Sequence, residues 1–274
     1  MSSHEHLKKS FHKKEQDILN FISEGRCKHF YLDFGTNIGI QIRKLYEPSL
    51  FPGAAAHSFF NETFGNTDPK YICAVGFEPN VIQRDRLEQL ENSYREVGFP
   101  CTIFTETAIY GEEKYLTFYR DDREKAENHE WGSSLVKWKT DMTATSYEVL
   151  AINTCNFMHT ILHKWHSVNY NEAKSRIMVK MDIEGAEFVV IPHLIVKGCL
   201  CYMNYMTLEW HNGMEEPGIN AAEIKEMLRS TSKYAEKLAC HFHIFDGDDE
   251  SFRDASFPLP HKSTTTIVRR ILKI

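Results

Sequence analysis

Three short segments combine acidic residues with glycines, a pattern that suits the binding of a small charged ligand. The first runs from Asp33 to Gly39 and reads Asp-Phe-Gly-Thr-Asn-Ile-Gly. Glycines let a backbone turn tightly and approach a ligand closely. The Asp33 carboxylate suits a ligand that carries a sulfonium or an amino group. The spacing matches neither G-x-G-x-x-G nor a P-loop, and the alternative interpretation is a turn that binds no ligand.

The second segment, Gly76–Asn80, places Glu78 directly before Pro79, where a predicted strand ends and a helix begins. A carboxylate in this position can accept hydrogen bonds from both hydroxyls of a ribose, as in dinucleotide-binding folds. The alternative is a glutamate that caps the helix. The glycine segment upstream favours the ribose interpretation.

The third segment contains Asp182 and Glu184, which lie two residues apart and can point to the same side. Glu209 and His211 have the same spacing at the end of another predicted strand. Carboxylates and an imidazole together could deprotonate a hydroxyl or bind a divalent cation. We predict Asp182 and His211 as catalytic residues, and Asp182, Glu209 and His211 as the ligands if a metal is bound. Alternatively, Glu184 and Glu187 are acids in the first turn of a helix.

These segments end runs of β-branched and aromatic residues, which are typical of strands. The predicted strands are His29–Asp33, Tyr71–Glu78, Thr102–Ala108, Tyr115–Arg120, Ile177–Ile183, Met206–His211, Cys240–Phe245 and Thr265–Leu272. Helical periodicity predicts helices over 5–24, Val81–Val97, Ala186–Val196 and Ala221–Leu238. The alternation predicts a mostly parallel sheet. No helix separates the last two strands, so we expect them to form an antiparallel pair.

A segment from Glu47 to Lys70 interrupts this alternation and contains three prolines and two glycines. It is longer than an ordinary connection between strands, so we predict that it forms a lid or an added wall. No linker or internal repeat divides the chain. Residues 1–274 are therefore predicted to form a single domain.

The composition limits the compartment and the classes of partner that we expect for the chain. Its 274 residues are 42% hydrophobic and carry a net charge of −6, which argues against nucleic acid or an anionic membrane as a partner. No stretch reaches the roughly 18 apolar residues of a membrane span. The seven cysteines lack Cys-x-x-Cys spacing and are interpreted as buried thiols in a reducing compartment. With no apolar core of a signal peptide at the N-terminus, this predicts a cytoplasmic protein.

Taken in order, the motifs resemble the FkbM family of S-adenosylmethionine-dependent methyltransferases over about residues 30–211. The matching motifs are Asp33-x-Gly35-x-Asn37-x-Gly39, Phe77-Glu78-Pro79, Ala108 with Gly111, Ser133-Ser134-Leu135 and Lys180-x-Asp182-x-Glu184-Gly185-x-Glu187. The chain departs from the family near Thr154, where relatives often have Thr-Leu-Asp and this sequence reads Cys-Asn-Phe.

The resemblance implies an α/β fold of the Rossmann-like class I methyltransferase type. Such a fold has a seven-stranded, mostly parallel sheet with helices on both faces and an antiparallel last strand. The resemblance also implies that S-adenosyl-L-methionine is bound. The residues implied to contact the cofactor are Asp33, Gly35, Asn37 and Gly39 at the methionine portion, Glu78 at the ribose, and Thr107 and Ala108 at the adenine. Ser134 is a further predicted contact, because its turn-like segment can present a hydroxyl or a backbone amide.

The implied reaction is transfer of a methyl group to a hydroxyl oxygen, and the partner is then a small-molecule or sugar-like acceptor. Two alternatives remain open. One is an N-methyltransferase that acts on a protein or an amine, and the other is a module that binds the cofactor without catalysis. The glycine spacing disfavours a nicotinamide dehydrogenase.

Overall fold

The structure is a computed structural model that describes residues 3–119, 135, 146–168, 175–235, 237, 240, 242–252 and 256–260. Within these residues the chain forms an α/β fold with a parallel central sheet. None of the described helices combines the length and the apolar composition that a membrane span requires.

Six parallel strands form the central sheet. They are β1 (His29–Phe34), β2 (Ile72–Glu78), β3 (Cys101–Thr105), β7 (Ile177–Met181), β8 (Tyr205–Leu208) and β9 (His243–Asp246). Their order is β3-β2-β1-β7-β8-β9, and each neighbouring pair is parallel. The predicted parallel sheet is thus confirmed. A seventh strand is not, because the predicted strand Thr265–Leu272 and its antiparallel pairing lie outside the described residues.

The predicted strand Thr102–Ala108 is wrong, because the chain turns in its middle. Glu106 has a φ of 53°, which ends β3 and starts β4 (Thr107–Tyr110) in another direction. β4 joins β5 (Lys114–Tyr119) and β6 (Ser146–Asn153) in a second, three-stranded sheet of order β4-β6-β5. In this sheet β4 runs parallel and β5 antiparallel to β6.

Seven described helices accompany the sheets. They are α1 (Ser3–Ser23), α2 (Ile40–Tyr46), α3 (Ala56–Phe64), α4 (Arg84–Glu96), α5 (Thr154–Val168), α6 (Glu187–Val196) and α7 (Ala221–Ala235). Alternate residues of β1 face opposite sides, as a strand requires. Phe30, Leu32 and Phe34 pack with α1, α5 and α6, whereas Tyr31 packs with α2, α3 and α4.

The segment 47–70 lies on the Tyr31 side of the central sheet, in the layer that α2, α3 and α4 form. Its helix α3 packs against α2 and β7. Phe60 and Phe64 are buried beside Tyr31 of β1, and the rings of Tyr31 and Phe60 meet edge to face at 5.2 Å. The segment therefore covers one face of the central sheet.

Six of the seven cysteines form disulfides, so the interpretation as buried thiols is wrong for them. The pairs are Cys27–Cys73, Cys155–Cys199 and Cys201–Cys240, and Cys101 is free and buried. The paired residues are 39 to 46 positions apart in sequence. Cys27 with Cys73, and Cys201 with Cys240, lie at or near the amino ends of neighbouring parallel strands, whereas Cys155 of α5 meets Cys199 after α6. Local spacing does not reveal pairings between elements so far apart in sequence.

Candidate functional site

The glycine segment forms a tight loop between β1 and α2. Gly35 has a φ of 82°, and the backbone N–H groups of Gly35 and Thr36 both donate to the carbonyl of Phe77 in β2. A Cβ atom on Gly35 would lie 1.7 Å from the carbonyl oxygen of Asp182. This loop therefore requires glycine, and it packs directly onto the end of β7.

Glu78 at the end of β2 holds the same loop. It is 6% exposed, and its carboxylate accepts the backbone N–H groups of Asn37 at 2.6 Å and Asn80 at 2.7 Å. Burial raises the pKa of Glu78 to about 7, against the effect of these two hydrogen bonds. The helix-capping alternative does not fit, because the side chain that caps the next helical turn is Asn80, which accepts from Ile82.

Asp33, the last-but-one residue of β1, is completely buried. Neither oxygen of its carboxylate has a hydrogen-bond partner among the described residues, and Lys180 Nζ lies 3.8 Å away. Burial, opposed by Lys180 and assisted by nearby carboxylates, raises the pKa of Asp33 to about 7. A buried carboxylate without hydrogen bonds is costly, so it is a group that a cationic ligand would stabilise.

A cleft of about 620 Å³ opens beside the glycine loop. Its lining residues are Gly35, Asn37, Phe77, Glu78, Pro79, Asn80, Ala108, Ile109, Phe118, Asp182, Ile183, Glu184 and Ala186. Four of the predicted cofactor contacts, Gly35, Asn37, Glu78 and Ala108, are thus brought together. We call this space the loop cleft.

The other predicted contacts lie elsewhere. Asp33, Gly39 and Thr107 are not among the residues that line the loop cleft. Gly39 packs on Leu90 of α4, and the hydroxyl of Thr107 donates to the carbonyl of Thr105. Ser134 lies outside the described residues.

A second cleft, of about 600 Å³, shares Gly35, Asn37, Asp182 and Glu184 with the first. Its remaining lining residues are Thr36, Ile38, Ile40, Gln41, Lys180, Glu209, His211, Asp248, Asp249, Glu250 and Ser251. We call it the acidic cleft, because carboxylates dominate its wall. No residue of 47–70 lines either cleft, so α3 is a wall of the fold, and its Ala56 donates a backbone N–H to Asp249, which lines the acidic cleft.

His211 lies among four carboxylates in the acidic cleft. Its Nε2 is 3.4 Å from Asp182, 3.7 Å from Glu184 and 3.9 Å from Glu209, and its Nδ1 is 3.3 Å from Glu187. Burial acts to lower the pKa of His211, but the hydrogen bond to Glu187 and the charges of the neighbouring carboxylates raise it to about 9. The imidazole is therefore a cation at neutral pH, and it neutralises part of this cluster.

Two of these carboxylates, Glu187 and Glu184, have different roles. Glu187, fully buried in the first turn of α6, accepts the backbone N–H groups of Gly185 and His211. This fits the helix-start alternative for Glu187. Glu184 lies before the helix with a φ of 52°, so it is not a first-turn acid. It borders both clefts, and burial raises its pKa to about 8.

Among the residues that the structure describes, two groups of side chains have the spacing of a metal site. Asp182, Glu184 and His211 form one, and Asp182, Glu209 and Asp248 form the other, with ligand atoms within 4.8 Å of one another in each. The predicted trio of Asp182, Glu209 and His211 is thus divided between them, with Asp182 common to both.

The sequence prediction missed Asp248 and Lys180. Asp248 follows β9, and Lys180 is the last-but-one residue of β7. The predicted strand Cys240–Phe245 overlaps β9, and the rule that ligands bind at the carboxyl ends of parallel strands points to Asp248 just after it. Lys180 lies within a buried strand, and its residue type and spacing alone do not indicate a role.

No family model, no curated protein and no solved structure matches the chain. The resemblance of its motifs to a methyltransferase family therefore stays a prediction.

Proposed function

We propose that the chain is an S-adenosyl-L-methionine-dependent methyltransferase of the FkbM type, which methylates a hydroxyl oxygen of a small-molecule or sugar-like acceptor. The observation that carries this proposal is the meeting of two clefts at Asp182, Glu184, Gly35 and Asn37. One cleft has the features of a nucleoside site, and the other has groups that bind and deprotonate a hydroxyl.

The residues of the loop cleft fit the cofactor chemically. Asp33 does not line the cleft, but it is a buried carboxylate two residues before Gly35 and has no hydrogen bonds among the described residues, so its negative charge would favour a positively charged methionine portion nearby. Glu78 borders the cleft with a carboxylate that can accept ribose hydroxyls. Ala108, Ile109 and Phe118 supply an apolar wall for a base. The bound cofactor would supply an electrophilic methyl group on its sulfonium.

In the acidic cleft, we propose that Asp182 is the general base that removes the proton from the acceptor hydroxyl, because this side chain borders both clefts. His211 is a cation near neutral pH and is a weak base there, so its role is to orient Asp182 from 3.4 Å. Glu209, whose pKa burial raises to about 7, borders the same cleft and can accept a second hydroxyl of the acceptor.

The test is calorimetric titration of the protein with S-adenosylmethionine and S-adenosylhomocysteine. Glu78→Ala removes two acceptor oxygens for the ribose, and hydrogen bonds to charged groups contribute about 1.5–3 kcal/mol each. Two such bonds contribute at least about 3 kcal/mol, so we expect affinity to fall more than about 100-fold. Glu88→Ala on the exposed side of α4 is the matched control and is expected to leave affinity unchanged. An unmodified protein that binds neither compound would refute the proposal.

A second candidate is N-methylation of an amine, which the charge of the acidic cleft favours. Asp182, Glu209 and Asp248 would attract a cationic acceptor as readily as they would bind hydroxyls. Release of S-adenosylhomocysteine on matched panels of polyols and amines separates the two reactions. Binding of the cofactor without turnover on either panel would instead support a non-catalytic module.

The disulfides indicate the kind of compartment in which the protein acts. Disulfides persist in oxidising compartments and are rare in cytosolic proteins. Three of them in the described chain oppose the cytoplasmic location expected from the sequence. We propose that the protein acts in an oxidising compartment.

A further inference from the structure

Lys180 places an ammonium group at the boundary between the two clefts. The side chain is 3% exposed. Its Nζ donates to the carbonyl oxygen of Gly35 at 2.7 Å and to Asp182 Oδ2 at 3.0 Å. It therefore connects the glycine loop, on the cofactor side, with the carboxylate that we assign to the acceptor proton.

Two further carboxylates face the same ammonium. Asp33 Oδ1 and Asp248 Oδ2 each lie 3.8 Å from Lys180 Nζ. The four partners come from β1, the loop after it, the end of β7 and the segment after β9. One cation thus joins four separate parts of the chain at the carboxyl edge of the central sheet.

This arrangement competes with a divalent metal for the same ligands. Both groups with metal-site spacing require Asp182, and one of them also requires Asp248. Lys180 already binds Oδ2 of Asp182 and approaches Oδ2 of Asp248, while His211 Nε2 lies 3.4 Å from Oδ1 of Asp182. A divalent ion placed between Asp182 and Asp248 would be close to the ammonium and would be repelled by it.

We propose that Lys180 is a positioning residue that takes the place of a divalent cation in this site. Its ammonium neutralises the carboxylates of Asp33, Asp182 and Asp248 and holds Asp182 where the two clefts meet. The contribution to methyl transfer rests on the proposed function. The exclusion of a metal rests on the geometry alone, and it can be measured on a protein without any substrate.

The experiment measures Mn²⁺ binding by calorimetry and by electron paramagnetic resonance. We expect the unmodified protein to show no saturable Mn²⁺ site. Lys180→Met removes the cation and leaves the carboxylates, so it is expected to gain one site with at least tenfold higher affinity for Mn²⁺. Lys180→Met combined with Asp182→Asn is expected to lose that site again, and Lys180→Arg, which keeps the charge, is expected not to gain one.

Two results would overturn the proposal. One is a saturable Mn²⁺ site in the unmodified protein that Asp182→Asn abolishes. This measurement does not require the Lys180→Met protein to fold. The other is a folded Lys180→Met protein that binds Mn²⁺ no better than its parent. Failure of the parent to bind S-adenosylmethionine would refute the proposed function and leave the Mn²⁺ results to decide this inference.

If turnover is found, a kinetic readout completes the test. Lys180→Met is expected to lower kcat at least tenfold with a small change in the KM of the acceptor, because Asp182 loses its orientation and the acceptor keeps its contacts. Lys180→Arg is expected to recover part of kcat. A Lys180→Met protein with the parent's kcat would contradict the positioning role.

Discussion

The two edges of the central sheet are held together by opposite means. At the carboxyl edge, the ammonium of Lys180 joins carboxylates from separate strands, and Gly35 and Glu184 have left-handed backbone. At the amino edge, disulfides join the segments that lead into β1, β2, β8 and β9. Charges that remain accessible from a cleft can exchange partners with a ligand, whereas covalent bonds cannot. This difference agrees with the proposed binding of a ligand at the carboxyl edge and with a stabilising role for the amino edge.

Two histidines, one at each edge of the sheet, show the same contrast. His29 begins β1 at the amino edge, where burial and the charges of Arg176 and Lys28 lower its pKa to about 4. His211 follows β8 at the carboxyl edge, where carboxylates outweigh burial and raise its pKa to about 9. At neutral pH one imidazole is therefore part of an uncharged core, and the other is a cation in a cleft.

The largest effect is expected for Gly35→Ala at the carboxyl edge. The new Cβ would collide with the carbonyl oxygen of Asp182 at 1.7 Å, and the loop would have to move away from β7. We expect a loss of more than about 4 kcal/mol of unfolding free energy, which is exceptional for one substitution. Urea unfolding measures this loss, and titration with S-adenosylhomocysteine measures the accompanying loss of binding.

Gly53→Ala is the matched control for this prediction. Gly53 has nearly the same φ, +81° against +82°, but no heavy atom lies within 4 Å of its added Cβ. Only the left-handed strain of about 1–2 kcal/mol then remains. If both variants lose the same stability, the contact between the loop and β7 is not what demands glycine at position 35.

The second prediction concerns the amino edge. Replacing Cys27 and Cys73 together by alanine opens a link between residues 46 positions apart. Loss of a bond that closes a loop of this length costs about 4 kcal/mol of unfolding free energy. Binding of S-adenosylhomocysteine by the folded variant is expected to remain, because the loop cleft lies at the other edge.

Thiol titration of the parent in denaturant without reductant is expected to detect one thiol, that of Cys101. Cys101→Ala is the control, since it removes a buried cysteine without breaking a bond. Titration of all seven thiols, or a double variant as stable as its parent, would contradict the proposed division between the edges.

The sequence predicted the carboxyl edge better than the amino edge, for a physical reason. Strand ends followed by glycines and acids are local patterns, so Asp33, Glu78 and Asp182 could be recognised from short segments. The disulfides depend on which strands become neighbours, as does the contact of Lys180 with Asp248. The break at Glu106 depends on a left-handed backbone angle, which favours Gly or Asn, so a glutamate at this position gives no local sign of it.

The smallest effect on unfolding free energy is expected for the substitution His29→Gln, and it appears only when stability is compared at different pH values. The Nδ1 of His29 accepts the backbone N–H of Arg176 at 3.1 Å, so Nε2 carries the proton and donates to the hydroxyl of Thr67 at 3.1 Å. The folded state thus holds the neutral imidazole. Between pH 6.5 and about 4 the unfolded chain binds a proton that the folded chain does not, so stability falls as pH falls through this window.

The loss amounts to at most about 3.4 kcal/mol, because one pKa unit corresponds to about 1.4 kcal/mol. His29→Gln keeps a polar side chain without a titrating group, so its unfolding free energy is expected to change less between pH 7 and pH 4. His159→Gln on the exposed side of α5 controls for the loss of a histidine in general. Equal pH dependence in the parent and in His29→Gln would mean that the amino edge is open to protons, and the contrast between the edges would then rest on the disulfides alone.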